Sequence, residues 1–234
     1  MDAEEAVMTE QYRSGLLPAE YSAELCRQIP AAFQELEIQT LLDCGCGNSA
    51  WFRTVDLSGI KYLGVDIVEP LITELQAQYT APTRKFQKMN LLRDPPETAD
   101  LWLARDLLCM YPKSQMMLFF QRFLESNSHF LALTSIDTVH VYAEYAVGSW
   151  IPLNLQRAPL YMPEPMMELE DGEQWFCKKW LYIYNRQQIL EWVQSKSATV
   201  GDDEVQEVLD TPDMNAHLVS NIPLRQMSLY AHKG

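Results

Sequence analysis

The sequence predicts an α/β fold in which helices alternate with the strands of a doubly wound, mostly parallel sheet. Short apolar segments alternate with segments of helical periodicity, and the first apolar segment ends at a glycine-rich turn. With 234 residues, of which 47% are hydrophobic, the chain is long enough for one domain with a full core. We therefore expect a single domain over residues 1–234.

Residues 1–38 are predicted to form an N-terminal helical cap, because apolar residues recur there at three- and four-residue spacing. Pro18 and Pro30 are expected to break this helix. Residues 38–43 follow as a short apolar strand that stops at the glycine-rich turn. A helical stretch is then expected to begin near Ser49.

The alternation of strands and helices continues towards the C-terminus. Further strands are predicted at 61–66, 84–89, 100–104, 129–135 and 180–184, with a final edge strand at 226–232. Helices are predicted from Pro70, at 113–125 and at 186–194. Strands and helices that alternate in this way place the strands in parallel.

Residues 136–165 interrupt the alternation after the fifth predicted strand. Prolines are interleaved there with aromatic residues, namely Pro152, Pro159, Pro163, Pro165, Tyr142, Tyr145, Trp150 and Tyr161. The segment is too rich in proline for a helix and too aromatic for a disordered linker. It is predicted to be an ordered lid or pocket wall, or alternatively a small additional core beneath a long loop.

The charge of the chain limits its partners. Lysine and arginine number 18 against 32 acidic residues, a formal charge of −14, which disfavours nucleic acid and anionic membranes as partners. The acidic N-terminus and the lack of a long apolar run favour a cytoplasmic location. Five scattered cysteines suit a reducing compartment, and Cys44 and Cys46 are expected to pack at the turn rather than bind a metal.

The turn at residues 43–48, Asp-Cys-Gly-Cys-Gly-Asn, has the composition of a loop that binds a nucleotide-like ligand, because glycines allow close approach of the backbone. Asp66 ends the second strand, where a carboxylate can accept both ribose hydroxyls of an adenosine. The third glycine of a dinucleotide loop is missing, and Asp43 would repel a pyrophosphate but attract an amino group. The pattern favours S-adenosylmethionine (SAM) over NAD. In the simpler interpretation, both aspartates cap helices and the glycines serve only the turn.

Residues 43–70, 99–108 and 148–155 with 163–165 carry further motifs, among them an Arg-Asp pair and Trp-x-Pro-Leu-Asn-Leu followed by Pro-Glu-Pro. These segments resemble a largely uncharacterised family of class I SAM-dependent methyltransferases, and the resemblance covers about residues 14–184. It implies a Rossmann-like, seven-stranded sheet with an antiparallel edge strand and with SAM over its carboxyl edge.

The resemblance also implies roles for individual residues. Those assigned to the cofactor are Asp43, Gly45, Gly47, Asp66, Ile67, Asn90, Leu91 and Arg105. The turn would face the methionine part, Asp66 the ribose, and Asn90 the adenine. Asp106, beside Arg105, would point to the reaction centre.

Methyl transfer from a sulfonium depends mainly on alignment, and a base is needed only when the acceptor must lose a proton. Asp106 is the first candidate for this base, with His140 and Tyr142 as second candidates. Alternatively, Asp106 pairs with Arg105 or caps a helix. The candidates for the acceptor pocket are Trp150, Asn154, Tyr161 and Glu164, of which Glu164 could instead be a solvated charge.

The sequence thus predicts a methyltransferase acting at oxygen or nitrogen of a small molecule, such as a glycan or another hydroxylated metabolite. Met110 and Ile151 stand where the resemblance leads us to expect a histidine and an arginine. A catalytically silent SAM-binding protein is therefore the second hypothesis. A protein or RNA methyltransferase is the third, and the negative charge disfavours RNA.

Overall fold

A seven-stranded mixed sheet forms the centre of the protein. The structure is a computed structural model and describes residues 3–13, 23–50, 52–138, 150–174 and 177–199. The strands are β1 (Thr40–Cys44), β2 (Lys61–Asp66), β3 (Arg84–Lys88), β4 (Leu101–Ala104), β5 (Phe130–Ile136), β6 (Met167–Gln174) and β7 (Cys177–Asn185). They lie in the order β3-β2-β1-β4-β5-β7-β6, with β1 to β5 parallel and β7 antiparallel to both neighbours. The predicted Rossmann-like α/β fold, with antiparallel pairing at one edge, is confirmed.

Helices pack on both faces of this sheet. They are α1 (Ala3–Arg13), α2 (Ala23–Glu35), α3 (Glu69–Tyr79), α4 (Lys113–Glu125) and α5 (Arg186–Thr199). One core layer contains the buried sides of α4 and α5, including Phe120 and Trp192. The other contains the buried sides of α2 and α3, including Phe33 and Leu71. None of these helices has the length and apolar content needed to cross a bilayer.

The predicted core elements recur with small shifts at their ends. β2 and α4 have the predicted bounds, while the other predicted strands within the described residues differ by one to three residues at an end. β1 extends to Cys44 because that residue still pairs in register with Val65 of β2. The predicted strand at 226–232 lies outside the described residues.

The helical stretch expected near Ser49 is wrong. Among the described residues between β1 and β2, the regular structure is a 3-10 turn, Phe52–Thr54. Asn48 accepts a hydrogen bond from the Ala50 amide at 3.0 Å, and Ser49 has a positive φ of 53°. This local side-chain bond and the left-handed residue favour a compact turn over a helix start.

Pro30 does not break its helix, contrary to expectation. α2 runs through Pro30, which lies on the exposed side. Leu25, Ile29 and Phe33 on the opposite side are almost fully buried. Burying three such side chains stabilises the helix by more than the roughly 3 kcal/mol that an internal proline costs.

β6 was not predicted from the sequence. Its residues include Glu168, Glu170, Asp171 and Glu173, and Gly172 lies in a register irregularity with a positive φ of 76°. The pattern is too acidic to indicate a buried strand, but charges and bulges are typical of a strand at the edge of a sheet. This strand brings an acidic side chain to the site described below.

Residues 150–165 of the predicted lid form an ordered segment along β5. The Ile136 amide donates to the Leu153 carbonyl at 2.8 Å, and the Ile151 amide donates to the Cys109 carbonyl at 2.9 Å. Leu153 and Leu155 are buried in the same core layer as α4. The described part of the segment therefore contributes to the main core, and residues 139–149 lie outside the described residues.

The sheet order reverses direction between β1 and β4. The chain winds outward from β1 to β2 and β3, and then returns to place β4 on the other side of β1. Such a reversal opens a crevice at the carboxyl ends of the two central strands, where ligands of open α/β sheets bind. The glycine turn after β1 and the Arg105–Asp106 pair after β4 both flank this crevice.

Candidate cofactor and acceptor site

The glycine turn is anchored by backbone bonds to β2. The Gly45 and Cys46 amides both donate to the Val65 carbonyl at 2.9 Å, and the two glycines have positive φ values of 70° and 52°. A Cβ on Gly45 would lie 3.0 Å from Leu107 Cδ1, whereas a Cβ on Gly47 would meet nothing within 4 Å. Gly45 is thus constrained by packing, whereas the space beside Gly47 is open.

Asp66, at the end of β2, is hydrogen-bonded to this turn. Its Oδ2 accepts a hydrogen bond from the Gly47 amide at 3.1 Å, and its Oδ1 accepts one from the Val68 amide at 3.0 Å. Burial raises the pKa of Asp66, while the amides of Val68, Gly47 and Ile67 oppose that rise. A carboxylate has about four acceptor positions, so each oxygen retains capacity for a further donor such as a ribose hydroxyl.

Asp43 lies beneath the turn with only 2% of its surface exposed. Tyr62 donates its hydroxyl proton to Asp43 Oδ2 at 2.7 Å, and the same hydroxyl lies 3.0 Å from the Ser49 hydroxyl. The pKa of Asp43 is raised to about 7: burial and the nearby Asp66 raise it, and the Tyr62 bond and the charge of Arg105 oppose that rise. The carboxyl therefore changes protonation near neutral pH, and a cation at the crevice would favour its ionised form.

Three other residues expected at the cofactor follow β2 and β3. Ile67 packs at the edge of the core layer of α2 and α3, and Leu91 is buried in the opposite layer. Asn90 uses its Oδ1 to accept from the Leu92 amide at 3.0 Å. Among the described residues, its Nδ2 is buried without a hydrogen-bond partner.

Asp106 is held in an unusual backbone conformation at the end of β4. Its φ is 59°, in the left-handed region, and its amide donates to the Thr134 hydroxyl at 2.8 Å. Such a conformation costs a non-glycine residue of order 1 kcal/mol or more, and surrounding bonds must hold it. The Thr134 bond from β5 is one of these, and the ion pairs of the side chain are others.

Two aspartates and two cations form a buried network at this position. Lys179 Nζ lies 2.6 Å from Asp106 Oδ2 and 3.5 Å from Asp171 Oδ2. Arg105 donates from Nε and Nη2 to the two oxygens of Asp171 at 2.8 and 3.0 Å, and its Nη1 lies 3.3 Å from Asp106 Oδ2. The side chains of Lys179 and Asp171 are 1% and 0% exposed. The two positive and two negative charges compensate each other, so each depends on the rest.

An ion pair of Asp106 with Arg105 was the predicted alternative to a base, but the roles of Asp171 and Lys179 were not predicted. One signal was present, because Lys179 alternates with Leu181 and Ile183 and therefore points into the core, while Lys178 points outward. An inward lysine in a strand requires a buried acidic partner. Which acid it meets follows from the pairing of β6, β7 and β5 in the sheet.

The two carboxylate oxygens of Asp106 differ in their partners. Within the described part of the chain, Asp106 Oδ1 is buried without a hydrogen-bond partner, while Oδ2 contacts both cations. A buried acceptor without a partner costs about 1–3 kcal/mol. Such an oxygen can accept a hydrogen bond from a donor on a bound molecule.

The four lid residues proposed for the acceptor pocket lie in different surroundings. Trp150 packs against the core layer of α4, directly before Ile151, which is bonded to Cys109. Asn154 Oδ1 accepts from a backbone amide two residues ahead, as in an Asx turn. Tyr161 is 61% exposed beside the Lys196 side chain of α5, and Glu164 accepts a hydrogen bond from the side chain of Gln156 at 2.7 Å.

Of the four residues, Trp150 is next to Ile151 in the chain, and the Ile151 amide is hydrogen-bonded to Cys109 in the loop after β4. Tyr161 and Glu164 make their contacts at the outer surface, near α5 and on the segment itself. His140 and Tyr142, the second candidates for a base, lie outside the described residues. Cys44 and Cys46 are buried as free thiols in opposite core layers, as expected of packing residues.

The comparisons with known proteins support the fold. No protein-family model and no curated protein matches the sequence. Solved structures do match, among them magnesium protoporphyrin IX methyltransferase from Synechocystis with bound SAM, at a TM-score of 0.55 and 12% identity. That match covers 79% of this chain and 97% of the other.

Two further solved structures have the same fold. A Burkholderia thailandensis 1,6-didemethyltoxoflavin-N1-methyltransferase with bound 1,6-didemethyltoxoflavin and S-adenosylhomocysteine aligns at a TM-score of 0.58 and 14% identity, over 77% of this chain and 86% of that one. The mitomycin 7-O-methyltransferase aligns at 0.53 and 16% identity, over 69% of this chain and 53% of that one. At these sequence identities the similarity shows the fold, and the chemistry must be argued from the residues of the site.

Proposed function

We propose that this protein is a SAM-dependent methyltransferase that acts on oxygen or nitrogen of a small molecule. The observation that carries the proposal is the open backbone at Gly47 beside the Asp66 carboxylate, at the crevice of the sheet. The fold is shared with methyltransferases solved with SAM or S-adenosylhomocysteine. The site and the fold therefore support the same cofactor.

The cofactor would be held mainly by backbone and carboxylate groups around the turn. Asp66 would accept the ribose hydroxyls with the oxygen positions that the Gly47 and Val68 amides leave free. Gly47 would let the chain approach the amino-acid part closely, since the space around its Cα is empty. Asp43, buried beneath the turn, would stabilise a cation above it when ionised. When bound, SAM supplies an activated methyl group on sulfur.

Asp106 would act on the acceptor through its free oxygen. Oδ2 is engaged by Lys179 and Arg105, which stabilise the negative charge of the carboxylate. Oδ1 would accept a hydrogen bond from a hydroxyl or amine and so orient the attacking lone pair towards the methyl carbon. Alignment is the role that this pairing supports best, because Lys179 and Arg105 hold Oδ2 and leave Oδ1 for the acceptor.

The acceptor class is proposed from charge and chemistry. A formal charge of −14 disfavours RNA and DNA. The acceptor would be a small hydroxylated or amine-bearing metabolite, with a glycan as one class, and Trp150 would form an apolar wall beside it. The residues at Met110 and Ile151 add apolar side chains near the end of β4.

Calorimetric titration with S-adenosylhomocysteine and, separately, with NAD tests the cofactor. We expect micromolar affinity for S-adenosylhomocysteine and none for NAD, and we expect Asp66→Ala to weaken binding by about 1–3 kcal/mol, roughly 5- to 150-fold. Asp56→Ala is the matched control, because Asp56 is exposed and accepts hydrogen bonds from the nearby Ser58. If wild-type protein binds NAD and not S-adenosylhomocysteine, the proposal is wrong.

A catalytically silent SAM-binding protein is the second candidate, motivated by the apolar Met110 and Ile151. Incubation with methyl-labelled SAM and a panel of glycans, hydroxylated metabolites and amines separates the two. Label transferred to a small molecule supports the enzyme, and tight binding without transfer to any panel member supports the silent protein. Label on a protein in a cell extract would instead indicate a protein methyltransferase.

A further inference from the structure

Both cations that contact Asp106 also contact Asp171. Arg105 donates through Nε and Nη2 to the two oxygens of Asp171, while its Nη1 lies 3.3 Å from Asp106 Oδ2. Lys179 Nζ lies 2.6 Å from the same Asp106 oxygen and 3.5 Å from Asp171 Oδ2. A bidentate contact fixes the plane of a guanidinium, so Asp171 determines which nitrogen of Arg105 faces Asp106.

The backbone that carries Asp171 is fixed from two sides. A bulge in β6 places two residues, Asp171 and Gly172, opposite the single residue Lys179 of β7, and Gly172 takes up the extra residue with a positive φ of 76°. From α2, the Gln28 side chain donates to the Glu170 carbonyl at 3.2 Å and accepts from the Glu170 amide at 3.3 Å. Bulges are frequent beside active sites, where they direct a side chain.

These contacts divide the two oxygens of Asp106 between different tasks. Both cations lie on Oδ2, and Oδ1 is buried and unpartnered within the part of the chain that the structure describes. Without Asp171, the guanidinium of Arg105 can move to the second oxygen, because a carboxylate accepts hydrogen bonds on both. Oδ1 would then be occupied. Charge balance alone does not require the observed arrangement, since two cations can neutralise two carboxylates in either geometry.

We propose that Asp171 and Lys179 are positioning residues of the methyl-transfer site, which keep one oxygen of Asp106 on the cations and the other open to the acceptor. This inference rests on the proposed function. It also limits the acceptor class. An open carboxylate oxygen accepts a hydrogen bond from a hydroxyl or from a primary or secondary amine, but it repels an ionised carboxylate or phosphate.

The test removes one charge of each sign from the network. In the inner double variant, Asp171→Leu is combined with Lys179→Met. Apolar replacement of a buried ion pair is often neutral for stability, so this variant should regain most of the stability that Lys179→Met alone loses. The matched control is the outer double variant, Glu173→Leu with Lys178→Met, because these two residues are cross-strand partners on the exposed side of the same strands.

The kinetic measurement uses an acceptor found by the labelling screen, with carboxylic acids added to the panel. In the inner double variant we expect kcat to fall about 10- to 100-fold, the cost of a misaligned acceptor, with affinity for S-adenosylhomocysteine kept. The outer double variant should match the wild type in both quantities. Wild-type kcat in a folded inner double variant would overturn the inference, because the network would then only balance charge. Transfer of label to a carboxylate would overturn it as well.

Crystal structures with S-adenosylhomocysteine test the geometry without an acceptor. In the wild type we expect both cations on Asp106 Oδ2 and neither on Oδ1, and in the inner double variant we expect the Arg105 guanidinium to contact Oδ1. A cation on Oδ1 in the wild type would contradict the inference, and so would an unchanged position of Arg105 in the variant. Wild-type protein that binds no S-adenosylhomocysteine would instead contradict the proposed function.

Discussion

The two sides of the crevice are built in different ways. On the side of β1, β2 and β3, Asp43, Gly47 and Asp66 lie close together in the chain and are joined largely through backbone amides. On the side of β4 to β7, the network joins Asp106 to Lys179 across 73 residues of sequence, through side-chain ion pairs. A site made from a turn depends on local sequence, whereas a site made from ion pairs depends on which strands become neighbours.

The largest expected effect comes from breaking the ion-pair network. Lys179→Met should lower the free energy of unfolding by about 3–5 kcal/mol, because two buried carboxylates would then share one guanidinium. Urea denaturation measures this loss. Lys178→Met, on the exposed side of the same strand, should change stability by no more than about 0.5 kcal/mol. Equal small losses in the two variants would mean that the network does not stabilise the fold.

Asp106→Asn tests whether the ion-pair side of the crevice takes part in turnover. If Asp106 aligns the acceptor, turnover on an acceptor found by the labelling screen should fall by no more than roughly 10², with affinity for S-adenosylhomocysteine kept. A loss of roughly 10³ to 10⁴ would instead indicate that Asp106 is a general base. Stability should also fall, since Lys179 loses its 2.6 Å partner, so turnover must be measured on folded protein. Asp137→Asn, an exposed acid just beyond β5, is the control. Near-wild-type turnover would leave Asp106 with a structural role only.

The two glycines of the turn separate packing from ligand approach. Gly47→Ala should weaken S-adenosylhomocysteine binding about 10-fold and lower stability by only about 1 kcal/mol, the cost of a positive φ. Gly45→Ala should lower stability more, because its Cβ would lie 3.0 Å from Leu107. Calorimetry and urea denaturation on both variants provide the check. If the loss of binding relative to the loss of stability is the same in Gly47→Ala and Gly45→Ala, the open space at Gly47 does not serve ligand approach.

The smallest expected effect is the release of a proton from Asp43 when SAM binds. With the pKa of Asp43 raised to about 7, the carboxyl is about half protonated at neutral pH, and a bound cation favours its ionised form. SAM affinity should therefore rise between roughly pH 6 and 8, with release of about half a proton near pH 7. Calorimetry in buffers of different ionisation enthalpy measures this release, and Asp43→Asn should abolish it.

The same raised pKa has the opposite sign for the stability of the ligand-free protein. The folded state holds the proton of Asp43 more tightly than the unfolded state, whose pKa is near 3.8. Its contribution to stability is therefore fully present below about pH 4 and is lost as the pH rises towards 7. Denaturation of wild-type and Asp43→Asn protein at pH 5 and pH 8 should show this difference, and parallel pH profiles would contradict it.

The sequence determined the frame of this protein and the side of the crevice that lies around the turn. Apolar alternation predicted β2 and α4 with their bounds, because burial of one face imposes a period on local sequence. Positive φ at Gly45 and Gly47, and an acid at the end of β2, follow equally from short segments. These features need no knowledge of distant residues.

The tertiary structure decided the partners of Asp106 and the course of β6. Asp171 looked like one acid among several, and Lys179 like one of two adjacent lysines, until β7 paired with β5 and β6. Pro30 and the turn after Asn48 also differ from expectation, because burial of α2 and a side-chain bond outweigh local propensity. Local sequence determines backbone conformation, but the energy of a buried charge depends on neighbours that only the complete sheet brings within reach.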